Sequence, residues 1–290
     1  MIQPPALTCR TFAFVTLSVA LAVSPSCSFL INTSKRQCES QADCVELGFE
    51  DQVCVDRVCQ PSDATLAWAC LGNVQRPVSD DGDVSLSIMV VDVLTTQPPE
   101  GLHAQLCPKL DVDCTRPLSG RTSMDEHGRL VAQVRAGFDG YIELIAPGIT
   151  PALFFVTQPI WHDTAFEHVL PVVSPEGFRG IAQAIGTTLE LDTLGHTYAL
   201  AGDCGGAPAA GVHLEIDQMT EKTASYYMIN NVPVASAAAT DASGSGGFLN
   251  LESGFTRMTA RGASSGGRIG ESGFIVRAGA VSYPLVLPSP

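Results

Sequence analysis

From residue 85 onward, apolar and polar positions alternate in short runs broken by glycine, proline and aspartate. Leu102, Ala104 and Leu106 are interleaved with His103 and Gln105, and Leu130, Ala132 and Val134 share one face of a later run. A period of two is that of a half-buried β-strand. Runs at 85–93, 142–146, 152–157 and 166–173 are rich in β-branched and aliphatic residues and predict further strands. Asp125-Glu126-His127-Gly128 and Gly137-Phe138-Asp139-Gly140 read as turns, with Gly128 free to take positive φ. At 175–185 the period becomes helical, placing Phe178, Ile181, Ala182 and Ile185 on one face before Gly186 ends the run. This helix is expected to pack against a sheet. Beyond it, the Gly- and Ser-rich stretches 243–247 and 262–270 read as loops. A last strand is predicted at 281–287, confined by Pro284 to a sheet edge or bulge.

The pattern occurs twice. Pro98-Pro99-Glu100-Gly101-Leu102-His103, the Asp125 turn and Gly137-Phe138 return as Pro208-Ala209-Ala210-Gly211-Val212-His213, Asp241-Ala242-Ser243-Gly244 and Gly254-Phe255. This order of signals, with Thr240 ahead of the second Asp-x-x-Gly turn, resembles the carboxypeptidase regulatory-like domain. The first copy departs from that family in having Met124 where the second has Thr240, and in its Gly137-Phe138 pair. The resemblance implies a transthyretin-like sandwich and carries a turn signature, not a catalytic one. The predicted fold is mainly β: two antiparallel immunoglobulin-like or transthyretin-like sandwiches in tandem at 84–174 and 196–290. A helix-bearing connection at 175–195 joins them, behind a small disulfide-rich N-terminal segment.

Residues 1–26 carry Arg10, then an apolar run over 11–23, then Ser24-Pro25-Ser26. That run is too short to span a bilayer and suits a signal peptide. Cys27 follows two small residues, and the string resembles the lipobox of bacterial lipoproteins, which implies lipidation of Cys27 and attachment to a membrane. Ordinary cleavage to a soluble secreted product is the alternative. Residues 27–60 are read as tether and disulfide-rich module and 61–83 as a linker, in which Trp68 and Cys70 are expected to pack on the first sandwich.

The chain has 290 residues, ten of them cysteine, and a formal charge of −14. With no basic run to meet phosphates, nucleic acid is not expected as a partner. In an exported protein, dispersed cysteines pair, so Cys38, Cys44, Cys54, Cys59, Cys70, Cys107, Cys114 and Cys204 are disulfide candidates. A zinc site is the rival reading of the first four. Their C-x5-C and C-x4-C spacings differ from zinc-ribbon pairs, and export would oxidise the thiols. Of three pairings, Cys38 with Cys54 and Cys44 with Cys59 is preferred. Cys107 and Cys114 are close enough to staple a hairpin. The segment resembles the Cys-rich stretches that follow the lipid anchor of Gram-negative surface proteins.

Catalytic strings fail on context. Gly262-Ala263-Ser264-Ser265-Gly266 matches a nucleophile elbow, but Gly267-Arg268-Ile269-Gly270 cannot supply the helix that must follow. No histidine has Glu three residues on, as a zinc carboxypeptidase requires. Asp80-Asp81-Gly82-Asp83 lacks the Gly and Glu of a calcium loop. His162-Asp163 with Glu167-His168 is the one compact ligand-type cluster, read as an exposed loop-to-strand segment. His103 and His213 are read as exposed or hydrogen-bonded strand positions. No cofactor or metal is expected. The predicted function is a non-catalytic surface or secreted protein for binding, adhesion or envelope assembly, with a surface protein or polysaccharide as partner. A glycan- or peptide-binding module using Trp161, Tyr226 and Tyr227 is the alternative, and an unrecognised hydrolase ranks behind it.

Overall fold

The computed structural model describes residues 38–48, 52–55, 58–61, 67–74 and 82–289 except 94, 126 and 157. The signal-peptide reading of 1–26, lipidation at Cys27 and the Asp80-Asp81 string lie outside the described residues. The chain forms two compact units, residues 1–60 and 61–290.

In the first unit, helix α1 (Gln41–Glu46) precedes strands β1 (Gln52–Val55) and β2 (Val58–Pro61), which pair with each other. The Asp43 carboxylate accepts from the Glu39 and Ser40 amides, closing the helix N-terminus. Disulfides join Cys38 to Cys54 and Cys44 to Cys59. Held as cystines, these sulfurs have no thiolate to offer a metal. A unit this short has little apolar surface to bury, so cross-links do much of what a core does elsewhere.

The second unit holds both copies of the repeat. The first comprises β3 (Asp83–Asp92), β4 (His103–Pro108), β5 (Arg121–Met124), β6 (Arg129–Arg135), β7 (Gly140–Ile145), β8 (Ala152–Phe155) and β9 (Thr164–Val172). Helix α2 (Pro175–Ala184) follows, its N-terminus capped by the Ser174 hydroxyl, which accepts from the Gly177 amide. The second copy runs from β10 (His196–Thr197) and β11 (Ala199–Ala201) through β12 (Val212–Ile216), β13 (Ala224–Ile229) and β14 (Val232–Val234). It continues through β15 (Ser245–Leu249), β16 (Gly254–Gly262), β17 (Arg268–Val276) and β18 (Val281–Val286).

Strand order repeats with the sequence. The sheet β5-β6-β3-β9 of the first copy is matched by β13-β15-β11-β18 in the second, and β4-β7-β8 by β12-β16-β17. Most ladders are antiparallel; β3 with β9, and β18 with β10, β11 and β8, are parallel. Because β18 also pairs with β8, one nine-stranded sheet runs through both copies.

That joint explains the nearly unbroken burial along β7, β8 and β18, since a sheet covered on both faces has no solvent-facing side. Ile142, Leu144, Phe154 and Tyr283 enter one core with Leu86, Ile88 and Leu130. Tyr141, Leu153 and Phe155 enter a second core with Met258 and Phe274. Each fully buried side chain of this size contributes roughly 1.5–3 kcal/mol. In the second core's polar margin, Glu143 accepts from Gln105 at 2.5 Å and pairs with Arg277, tying β7 to the second copy.

Three expectations are corrected here. Pro284 lies in an interior strand, paired with Phe155 on one side and flanked by β10 and β11 on the other. The break between β10 and β11 falls at Tyr198, whose amide bonds the Ser282 carbonyl, and it lies beside the stretch where Pro284 has no N–H to donate. Ser245–Gly247 is strand, not loop, and its glycines permit close approach. A Cβ on Gly247 would lie 2.1 Å from the Thr197 carbonyl oxygen, and one on Gly270 would lie 2.0 Å from that of Leu287. Cys70 is bonded to Cys204, and the Cys204 amide to the Ala67 carbonyl, so this segment is tied covalently to the second copy, while Trp68 packs on the core to which both copies contribute. Cys107 is bonded to Cys114.

Candidate functional site

The Thr240-Asp241-x-x-Gly turn is a structural device. Buried Thr240 donates to the Ala209 carbonyl at 2.7 Å and accepts from the Val212 amide at 3.0 Å, pinning both ends of the loop before β12. Asp241 accepts from the Ser243 amide and hydroxyl and from the Asn230 amide at 2.6 Å. Partial burial disfavours its charge, yet these donors hold its pKa below the usual carboxylate value. Asp125 does the same work in the first copy, accepting from the Arg129 and His127 amides, and its pKa is lowered chiefly by the Arg129 bond. Met124 has no hydroxyl with which to repeat the Thr240 bonds.

A concavity with a large apolar lining lies beside this turn. A cleft of about 770 Å³ opens between β9 and α2 on one wall and the β13–β14 hairpin and β11 on the other. Its lining is mainly apolar, with Val173, Ile181, Leu200, Met228 and Pro233 among the lining groups. Gly177, Gly180 and Ala184 turn a small-residue face of α2 toward it, and a Cβ on Gly180 would meet nothing within 4 Å. Val93 and Val169 leave nearly half their surface exposed at 46% and 47%. A concave, mainly apolar site of this size with few polar groups is the usual form of a small-ligand site.

Its polar groups are few and placed. Tyr198 packs against Tyr226 and Tyr283, at ring-centroid distances of 6.5 and 5.7 Å. Burial pushes its phenol pKa up, the Ser245 hydroxyl partly offsets that, and the charge of Asp241 adds to it. The Ser243 and Ser245 hydroxyls lie 2.6 Å apart. His168, only 1% exposed, places Nε2 3.1 Å from the Ala201 carbonyl, so Nε2 carries the proton; its buried Nδ1 has no partner among the described residues. Desolvation lowers its pKa and keeps the ring neutral.

The histidine cluster expected at 162–168 therefore divides. His162 is exposed, whereas His168 is a wall of the cleft, contrary to its reading as part of an exposed segment. Tyr226 and Tyr227 are not stacking platforms: both are buried, the Tyr226 hydroxyl donating to the Thr197 carbonyl and that of Tyr227 accepting from the Leu214 amide. Trp161 is half-buried and lies over Gly137. His213 bonds the Ala238 carbonyl at 2.9 Å, and His103 is exposed. Residues 262–266 form the hairpin between β16 and β17, not a strand-to-helix elbow. Sequence reasoning passed over Tyr198, Leu200, Met228 and Gly180. The Gly177, Gly180, Ala184 spacing along one helix face was the signal that could have found them.

No family model and no curated protein matches this chain. Among solved structures it is similar to the Bacillus anthracis TIE protein, at 12% identity and a TM-score of 0.24, over 72% of this chain and 34% of that one. It is also similar to the shaft pilin SpaA of Lactobacillus rhamnosus GG, at 10% identity and a TM-score of 0.22, over 73% of this chain and 99% of the pilin. The Bacillus cereus major pilin subunit BcpA, as its D312A form, matches at 13% identity and a TM-score of 0.22, over 71% of this chain and 70% of that one. The functional reading rests on the residues of this chain.

Proposed function

We propose that this chain is an exported, non-catalytic binding protein of a bacterial envelope, held to a membrane by lipid at Cys27, with its duplicated regulatory-like sandwiches presenting the cleft to a partner or ligand. The observation that carries it is the covalent framework: eight cysteines stand in four disulfides among the described residues, an arrangement characteristic of an oxidising compartment. Fusion of the copies through β8 and β18 gives the cleft walls drawn from two different sandwiches, a rigid frame of the kind binding sites favour. The cleft's hydroxyls and imidazole are engaged in structural bonds or shielded, which fits binding better than turnover. In cells grown with labelled palmitate, the wild-type chain is expected in the membrane fraction and labelled, and Cys27→Ser soluble and unlabelled. Persistent label on Cys27→Ser, or recovery of both chains with reduced thiols from the cytoplasm, would remove the reading.

A further inference from the structure

The cleft between the copies has a charge as well as a shape. Asp92 and Glu167 line it, and none of its described lining residues is Lys or Arg. Glu167 stands exposed on β9. Two further carboxylates act from just behind the wall: Asp241 holds the Ser243 hydroxyl at 2.7 Å and bears on Tyr198, and Asp203 bears on His168. His168 is held neutral by burial and supplies no compensating positive charge. Low-dielectric walls around charges of one sign focus their field into the opening and raise the local concentration of the opposite charge.

The apolar surface points the same way about the rest of the ligand. Val93 and Val169 are left open to solvent at the rim, while Ile181, Leu200 and Met228 line the interior. Exposed aliphatic groups beside a built concavity mark a surface that gains by being covered.

We propose that this cleft binds a small amphiphile made of an apolar body and a cationic amine head, the body lying against α2, Leu200 and Met228 and the amine directed to Glu167 at the acidic rim. This rests on the binding-protein reading above and names the chemical class for its site.

Three naphthalene probes of nearly equal size separate the contributions: 2-naphthylmethylamine, 2-naphthylmethanol and 2-naphthoate. Each is titrated calorimetrically into the full mature chain at pH 7 and low ionic strength. The amine is expected to bind at least tenfold more tightly than the alcohol, and the carboxylate not measurably. Glu167→Gln is expected to reduce the amine's advantage over the alcohol severalfold. Gly180→Leu fills the cleft from an exposed helical position with open space before it, so it is expected to abolish binding of every probe while leaving thermal stability equal or higher. Equal affinity for all three probes, abolished by Gly180→Leu, would overturn the cationic assignment and leave the binding cleft standing. Binding of none, or binding indifferent to Gly180→Leu, would overturn the cleft as a site for small ligands, while the palmitate experiment still decides export and anchoring separately.

Discussion

Thr240 shows how a motif residue can be conspicuous for structural reasons. Its hydroxyl is both donor to Ala209 and acceptor from Val212, in a position 5% exposed where water cannot substitute. Thr240→Val keeps shape and removes both bonds. A loss of about 2 kcal/mol is expected, the order for a buried amide and carbonyl left unpaired, read as a lower urea midpoint at unchanged slope. Two histidines set the pH response at the same scale. Desolvation lowers His196 to about 4, with its Nδ1 accepting from the Asn250 amide and its ring stacked on Phe178; His168 shifts the same way. The folded pKa lies below that of the unfolded chain, near 6.5, so between these values the unfolded chain takes up a proton that the fold refuses. Stability therefore falls as pH drops from about 6.5 to about 4, by about 3 kcal/mol for His196, and this contribution flattens below. Urea midpoints across pH 4–7 test it, and His196→Asn, which keeps an acceptor for Asn250, should flatten the slope. The sequence revealed where these histidines are. It could not reveal that they are buried, because burial here comes from strands distant in the chain.

At the scale of elements, the alternating runs and the Asp-x-x-Gly turns were readable because β3, β6 and β9 carry a period of two, and the helix expected at 175–185 was readable from its apolar face and the Gly186 that ends it. Ser245–Gly247 was misread for a physical reason. Glycine lowers strand propensity, but here it is demanded by neighbours: Gly246 faces the Tyr227 ring, and Gly247 faces the Thr197 carbonyl. The same residue type in α2 has the opposite meaning, since Gly180 faces open space. Gly247→Ala should therefore destabilise by about 2 kcal/mol or more, because backbone must move to admit the methyl group. Gly180→Ala should stabilise by up to about 1 kcal/mol through helix propensity alone. Thermal or urea unfolding of the two variants, measured side by side, checks the contrast. Equal effects of the same sign would mean that β15 does not pack as described.

For the whole molecule, the duplication was legible and the sharing was not. Repeated strings specify repeated strands, but nothing local in 281–286 announces that β18 will pair on both sides, and its proline argues for an edge. The consequence is energetic. Tyr141, Leu153 and Phe155 of the first copy are fully buried only because Met258, Phe274 and their neighbours cover them. Glu143, 4% exposed, has its cationic partner Arg277 in the second copy. A fragment ending before residue 196 would expose that apolar face, leave the β8 edge unpaired and strip Glu143 of its counter-charge. Residues 61–290 are accordingly expected to unfold in a single transition, with calorimetric and van't Hoff enthalpies in agreement. A fragment covering 82–195 alone is expected to aggregate or to bind hydrophobic dyes as a loosely packed state. Two separable transitions, or a well-folded first-copy fragment with dispersed amide resonances, would show that the β8–β18 ladder is an accessory contact and not the joint that makes the copies one cooperative body.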